Sequence, residues 1–226
     1  MNEFLDWGHQ LGDPKVYQGL SQPVQIALML GAIALLPAVL VSMTCFTRVL
    51  IVLSFVRQGL ATQQTPPNTV LLGLSLFLTM FIMRPVLDDM GTNALAPYRA
   101  GKMTGPEAIK AGAAPLRTFM LRQTRKQDIG LFLHLSGDKS IATPKDTPMY
   151  VLVPAFIISE LKTAFIMGFC IYLPFLLCDL VIANLLVSMG MVMMPPALIS
   201  APVKIMLFVL ADGWHLVTLT IVSSFK

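Results

Sequence analysis

The chain has 226 residues, of which 55% are hydrophobic and only 12% are charged, and its mean hydropathy is +0.73. Soluble domains carry about twice this share of charged residues, so the composition excludes an ordinary soluble protein and predicts an integral membrane protein. The formal net charge of +4 arises mostly in one polar interval between apolar segments, so we expect membrane lipid and proteins as partners and no nucleic acid.

Stretches without charged residues identify the candidate membrane segments. Residues 16–47, 58–83 and 180–203 contain no Asp, Glu, Lys or Arg. Each stretch exceeds the roughly 20 apolar residues that cross the hydrocarbon core of a bilayer. The sequence therefore predicts an all-α membrane protein, with two helical hairpins flanking a small helical polar module.

The sequence contains no recognisable pattern for catalysis or metal binding. Its cysteines, Cys45, Cys170 and Cys178, all lie in apolar segments, where a thiol behaves as a small hydrophobic group. Their odd number and spacing provide no disulfide framework. The sequence also lacks zinc-type Cys or His spacing, a glycine-rich phosphate loop and a Gly-x-Ser-x-Gly motif. We therefore expect no catalytic residue, no metal and no cofactor, and we do not expect an enzyme.

Residues 1–22 form a polar N-terminal segment of mixed charge. They lack the basic start and the short apolar core of a signal peptide. Two interpretations remain open: a signal peptide was cleaved before Met1, or the first apolar segment itself directs membrane insertion.

Residues 23–83 are predicted to form the first hydrophobic helical hairpin. Its first helix, from Pro23 to about Val56, would exceed one bilayer thickness, and we expect a kink at Pro37. Arg48 lies inside this apolar sequence. An arginine in such a place extends to the membrane surface, pairs with an acid or faces protein, and all three remain open.

The turn of this hairpin is predicted at residues 62–68, which are rich in Thr, Gln and Pro. Asn68 can cap a second helix over residues 70–83. The connecting loop carries Arg57 and no acidic residue, so the positive-inside rule places the loop in the cytoplasm. Both ends of the hairpin would then lie on the opposite side of the membrane.

Residues 84–148 form the polar module, which this orientation places in the periplasm. Thr104 and Glu107 have the spacing of a capping box, so a helix should begin there and continue to Lys110. Residues 115–125 predict a second helix, with one apolar face and the basic residues elsewhere. Residues 137–147 predict a loop.

Residues 149–226 are predicted to form the second helical hairpin, which carries Glu160, Lys162, Asp179, Lys204 and Asp212 inside apolar sequence. Glu160 and Lys162 are separated by about 200° around a helix and cannot pair with each other. Asp179 with Lys204, or Lys162 with Asp212, would balance in charge. Each buried charge costs roughly 2.5 to 3.5 kcal/mol in lipid, so we expect these residues to be buried against protein in an oligomer.

A methionine-rich loop at residues 189–196 interrupts this hairpin. Gly190 permits backbone angles that other residues resist, and Pro195 and Pro196 supply no N–H donor, so a helix should break here. The methionines that the break presents are unbranched and polarizable. They predict either a soft seal or the filling of an irregular apolar gap, and the loop alone does not decide between the two.

Several motifs resemble one family in the same order, from about residue 22 onward. They are Thr44-x-Phe46-Thr47-Arg48, Pro66-Pro67-Asn68, Pro115-Leu116-Arg117, Phe119 to Arg125, Ser159-Glu160-Leu161-Lys162-Thr163-Ala164-Phe165, Asp179-Leu180-Val181-Ile182-Ala183, Gly190-Met191, Pro195-Pro196 and Asp212-Gly213-Trp214. Together they resemble the FliP family of flagellar type III export-gate proteins.

The resemblance implies a core subunit of the flagellar export gate in the bacterial inner membrane, within the flagellar basal body. Several copies would assemble with FliQ and FliR into a helical hetero-oligomer, alongside FlhB and FlhA. Unfolded flagellar proteins would pass through its channel.

The resemblance also implies a gasket around this channel, formed by the methionines between Gly190 and Pro195-Pro196. Met191 and Met193 match gasket positions. Val192 stands where relatives often have methionine, and Met194 stands where they often have valine, so the role of Met194 is less well defined.

Three other functions are compatible with parts of the sequence. One is a subunit of the related injectisome export apparatus. Another is an ion-coupled transporter in which Glu160, Asp179 and Asp212 relay protons. The third is a scaffold that only nucleates the basal body.

Overall fold

The computed structural model describes residues 21–62, 65–136, 147–191 and 193–225, and the regular secondary structure in these ranges is entirely helical. This confirms the predicted all-α class. The polar N-terminal segment up to residue 20, most of the loop predicted at residues 137–147, and Val192 lie outside the described residues.

The first apolar segment forms two helices, α1 at Gln22–Met43 and α2 at Phe46–Gly59. The prediction of one helix to about Val56 is therefore wrong. Helix α1 continues through Pro37 and ends at Thr44, whose backbone is extended. The hydroxyl of Thr44 donates to the carbonyl of Leu40, which satisfies one of the carbonyls left free at the helix end.

The second apolar segment is longer than the predicted residues 70–83. Helix α3 at Asn68–Met90 continues into a π-helical turn at Gly91–Leu95 and a short helix α4 at Ala96–Arg99. Asn68 is the first residue of α3, and its side-chain oxygen accepts a hydrogen bond from Arg57. The Asn68 side chain thus links the start of α3 to α2.

The polar interval contains α5 at Gly105–Gln123 and α6 at Lys126–Ser136. The predicted start of α5 is correct. The carboxylate of Glu107 accepts hydrogen bonds from the backbone N–H of Thr104 at 2.9 Å and from its hydroxyl at 2.8 Å. These bonds, the backbone one first, lower the pKa of Glu107 below its ordinary value.

The prediction of two helices between residues 104 and 125 is wrong, because α5 runs unbroken through Pro115. Its apolar face is anchored by packing. Met120 is fully buried with Leu152 and Phe156, and the ring of Phe119 lies 6.1 Å from that of Phe156. Tertiary packing of this kind contributes more to a helix than local propensity does, so one missing N–H does not end it.

Helix α7, at Met149–Ser188, has 40 residues. At 1.5 Å per residue it is about 60 Å long, roughly twice the thickness of a hydrocarbon core. After the methionine loop come α8 at Ala197–Leu210 and α9 at Gly213–Ser223.

Among the described residues, three helical segments are long and apolar enough to cross a membrane: Gln22–Met43, Asn68–Arg99 and Met149–Ser188. The bent pair α8 and α9 makes a fourth if it counts as one span. The arrangement of these segments as hairpins stays a prediction.

The helices divide into two compact units. One unit takes its described residues from Met1–Thr44 and Met83–Phe156, and the other takes them from Cys45–Ile82 and Ile157–Lys226. The methionine loop and the charged residues at positions 48, 160, 162, 179, 204 and 212 all belong to the second unit. The candidate site therefore lies within this unit.

Candidate functional site

The methionine loop, residues 189–196, begins where α7 ends. The N–H of Met191 donates to the carbonyl of Leu186, and the N–H of Gly190 donates to that of Val187, both at 3.0 Å. Gly190 has a φ of 77°. These two bonds around a left-handed residue form a Schellman motif, which satisfies carbonyls at a helix end. A side chain at position 190 would strain this turn.

At its other end the loop leads through two prolines into α8. The carbonyl of Pro195 accepts from the N–H of Leu198 at 3.2 Å, and the carbonyl of Pro196 accepts from Ser200 at 3.0 Å. The N–H groups at the start of a helix have no carbonyl partner within the helix. Proline, which lacks an N–H, therefore costs no helical hydrogen bond at this position. The loop thus lies between a glycine stop and a proline start.

The side chains of the loop methionines are exposed. The exposed fraction is 68% for Met189, 43% for Met191, 99% for Met193 and 44% for Met194. A methionine that fills an internal gap would be buried among several neighbours. Within this chain the loop methionines therefore fill no internal gap, and their apolar surface is available to groups outside the chain.

Helices α8 and α9 meet at a bend of 65°. Asp212 takes left-handed backbone angles, φ 50° and ψ 50°, which Asp tolerates better than most residues. Gly213 lies directly against Phe208, since a Cβ at position 213 would come within 2.3 Å of the ring. Phe208 also meets Trp214 edge to face, with ring centroids 5.3 Å apart. The sequence analysis did not predict this bend.

One buried base on α8 is paired with an acid on α7. The Lys204 ammonium lies 2.5 Å from the Asp179 carboxylate, and the two side chains are 4% and 39% exposed. This is one of the two pairings that the sequence left open. The Lys204–Asp179 pair joins α7 to α8, the two helices that flank the methionine loop.

A second ion pair is completely buried. Arg48 on α2 is 2% exposed and Glu160 on α7 is 1% exposed. The Nε of Arg48 donates to Oε2 of Glu160 at 2.9 Å, and Nη2 donates to Oε1. Arg48 thus pairs with an acid, which is one of the three environments that the sequence left open. Bidentate pairs of this kind are the strongest that arginine forms.

Two further groups complete the surroundings of Arg48. Its Nη1 donates to the hydroxyl of Ser224 at 3.1 Å, and its guanidinium carbon lies 3.9 Å from the ring centroid of Phe225. We call these four residues, Arg48, Glu160, Ser224 and Phe225, the Arg48 cluster. Sequence reasoning missed Ser224 and Phe225, because a serine and an aromatic residue after an apolar helix have no distinctive pattern.

The structure does not bring the other charged candidates together. Lys162 and Asp212 are exposed, and within the described ranges they form no ion pair with each other. The expectation that the charges of the second hairpin need a neighbouring copy is unnecessary for Glu160 and Asp179, because each finds its cation within the chain. In the part of the chain that the structure describes, no three His, Cys, Asp or Glu side chains are arranged to hold a metal ion.

Comparison with known proteins finds consistent relatives. The family model described as "FliP family" matches residues 29–221. A "Flagellar biosynthetic protein FliP" of Bacillus subtilis (strain 168) is 47% identical over 225 residues, covering 100% of both chains. Proteins of the same name are 49% identical in Pectobacterium carotovorum subsp. carotovorum, covering 94% of this chain and 82% of the relative, and 45% identical in Aquifex aeolicus (strain VF5), covering 94% and 90%.

Proposed function

This chain belongs to the FliP family, and from that premise we propose that it lines the flagellar export channel and closes it with its methionine loop. As a family member it is a membrane-embedded component of the flagellar export apparatus. In the proposal, several copies assemble with FliQ and FliR, next to FlhB and FlhA, and unfolded flagellar proteins pass between them.

One observation carries the proposal. Met191, Met193 and Met194 project from a loop whose ends are fixed by a Schellman motif and by two prolines, yet they are exposed in the single chain. A ring of such loops would place flexible thioethers around a central opening. Methionine can repack around changing shapes and exclude water when nothing passes.

The helices next to the loop support assembly with lipid and other subunits. Large apolar side chains are exposed on α7 and α8, for example Leu185 at 57% and Leu210 at 80%. Exposed apolar patches of this kind mark contacts with protein or membrane. The proposed setting is the bacterial inner membrane, with the polar interval at residues 84–148 in the periplasm.

The two ion pairs, one fully buried and one with a partly exposed acid, argue against the ion-coupled transporter. A proton relay needs acids that can release and take up protons along a hydrated path. Glu160 is held by a bidentate arginine and Asp179 by a buried lysine, whereas Asp212 lies exposed at a helix bend. The reported relatives carry flagellar names, which supports the flagellar apparatus over the injectisome.

The test is the triple variant Met191→Ala, Met193→Ala and Met194→Ala in motile cells. Ion leakage across the inner membrane and flagellin export are measured, and assembly of the complex is checked by purification. We expect leakage to rise several-fold with assembly intact, because alanine cannot cover the area that three thioethers cover.

The matched control changes three methionines outside the loop with similar exposure, Met29 at 67%, Met80 at 55% and Met206 at 58%. This control should leave leakage unchanged. Failed assembly without leakage in the loop variant would mean that these methionines only pack between subunits. Normal assembly with normal leakage and export would support a scaffold and overturn the proposal.

A further inference from the structure

The guanidinium of Arg48 makes a different kind of contact on each of its sides. Its Nε and Nη2 hold Glu160, its Nη1 holds the Ser224 hydroxyl at 3.1 Å, and its face covers the Phe225 ring at 3.9 Å. Three members are shielded from water, with Arg48 2%, Glu160 1% and Phe225 8% exposed, whereas Ser224 lies at the exposed edge of the cluster. Charge pairing alone requires the bonds to Glu160 but not the contacts to Ser224 and Phe225.

We propose that Arg48 is a positioning residue that holds the end of α9 against α2 and α7. Glu160 fixes the plane of the guanidinium through two parallel bonds. The remaining donor and the flat face then determine where Ser224 and Phe225 lie. The buried charge pair thus orders the segment after α9, in addition to balancing charge.

This role requires arginine and not merely a positive charge. A lysine ammonium is a point charge without a plane, so it can satisfy Glu160 but cannot also direct a third donor and present a face to an aromatic ring. Cation–π contacts gain strength when both partners are desolvated, as they are in this cluster.

The cluster lies at one end of the α8–α9 segment, and the methionine loop lies at the other. The Lys204–Asp179 pair fixes this segment near the loop, and the Arg48 cluster fixes it beyond the 65° bend. The segment is therefore held at two points along its length. This inference does not depend on what the loop does.

The test is hydrogen exchange of the α9 amides, followed by mass spectrometry on the detergent-solubilised complex. We expect Phe225→Leu and Arg48→Lys each to raise exchange at residues 217–225 about tenfold, while α5 remains unchanged. Phe225→Tyr keeps the aromatic face and should stay close to the wild type. The double variant Arg48→Lys/Phe225→Leu should exchange no faster than the more affected single variant.

The matched control is Phe208→Leu, which removes another buried ring of the same unit that packs on Trp214 and not on Arg48. Its effect should multiply with that of Arg48→Lys. Independent, multiplying effects of Arg48→Lys and Phe225→Leu would overturn the proposal. If Arg48→Lys does not yield folded protein, position 225 decides, because equal exchange in the Leu and Tyr variants would also overturn it.

Discussion

Arg48 and Met193 belong to the same compact unit and have opposite environments. The arginine is 2% exposed and contacts an acid, a hydroxyl and an aromatic ring, whereas the methionine is 99% exposed. The sequence left three environments open for Arg48 and two roles open for the loop methionines. The structure satisfies the charged residue internally and leaves the apolar one outside.

The difference between the two residues follows from the free energy that a charged group and an apolar group each cost when they have no partner. An unpaired buried ion costs several kcal/mol, so its partner must be present wherever the chain folds. An exposed methionine costs little before assembly and gains contacts afterwards. Polar groups with internal partners therefore stabilise the subunit, while exposed apolar groups are available to form the assembly.

The largest effect on stability should come from removing only the acid of the buried Arg48–Glu160 pair. Glu160→Ala leaves the Arg48 guanidinium buried without its acid, which should cost about 3 to 5 kcal/mol in the free energy of unfolding. Thermal unfolding of the purified complex in detergent measures this loss. We expect much of the folded material to be lost at growth temperature.

The double variant Arg48→Met/Glu160→Leu is the informative control for this prediction. It removes both charges and fills the space with apolar groups, so most of the lost stability should return. A double variant as unstable as Glu160→Ala would mean that the loss came from packing around position 160 and not from an unpaired charge.

The same substitution at two methionines sharpens the comparison. Met120 is fully buried with Leu152 and Phe156, so Met120→Ala should cost about 2 to 5 kcal/mol through lost burial and a cavity. Met193→Ala should change the stability of the single chain by less than about 0.5 kcal/mol, because Met193 has no internal packing to lose. Denaturant unfolding in mixed micelles gives both values.

A large loss from Met193→Ala in the unassembled chain would contradict the assignment of the loop to external contacts. The same loss found only in the assembled complex would support it. The two sample states must therefore be measured side by side.

Much of the helical content was predictable, because apolar runs without charges and the Thr104–Glu107 spacing are local signals. The breaks were harder to predict. Helix α1 ends at Met43 although the apolar sequence continues to Val56, and α5 runs through Pro115. Proline weakens a helix locally, but packing and side-chain bonds decide where a helix ends.

In the candidate site, too, local features were predictable from the sequence and contacts between distant residues were not. The end of α7 at Gly190 was predictable, because the left-handed turn is a property of that residue. The partner of Arg48 was not, since Glu160 is 112 positions away and several acids were available. Ser224 and Phe225 could not be predicted at all, because their role arises only when α9 reaches the guanidinium.

The smallest effect concerns Glu107, a fully exposed carboxylate that contrasts with the buried Glu160. Hydrogen bonds from Thr104 lower its pKa below the ordinary 4.5 in the folded state. A lowered folded-state pKa means that the stabilisation is present above pH 4.5 and is lost as pH falls through the lower folded value. The small difference in Tm between the wild type and Glu107→Gln should therefore be constant at neutral pH and shrink progressively as the pH falls below 4.5. The variant Asp88→Asn removes an exposed carboxylate that lies 3.8 Å from the exposed Arg84, and the loss of such a pair should change the Tm little. If the difference in Tm between the wild type and Glu107→Gln persisted at low pH, the contribution of Glu107 to stability would not depend on its charge. Glu107 and Glu160 would then differ in their packing and not in the stabilisation of a carboxylate.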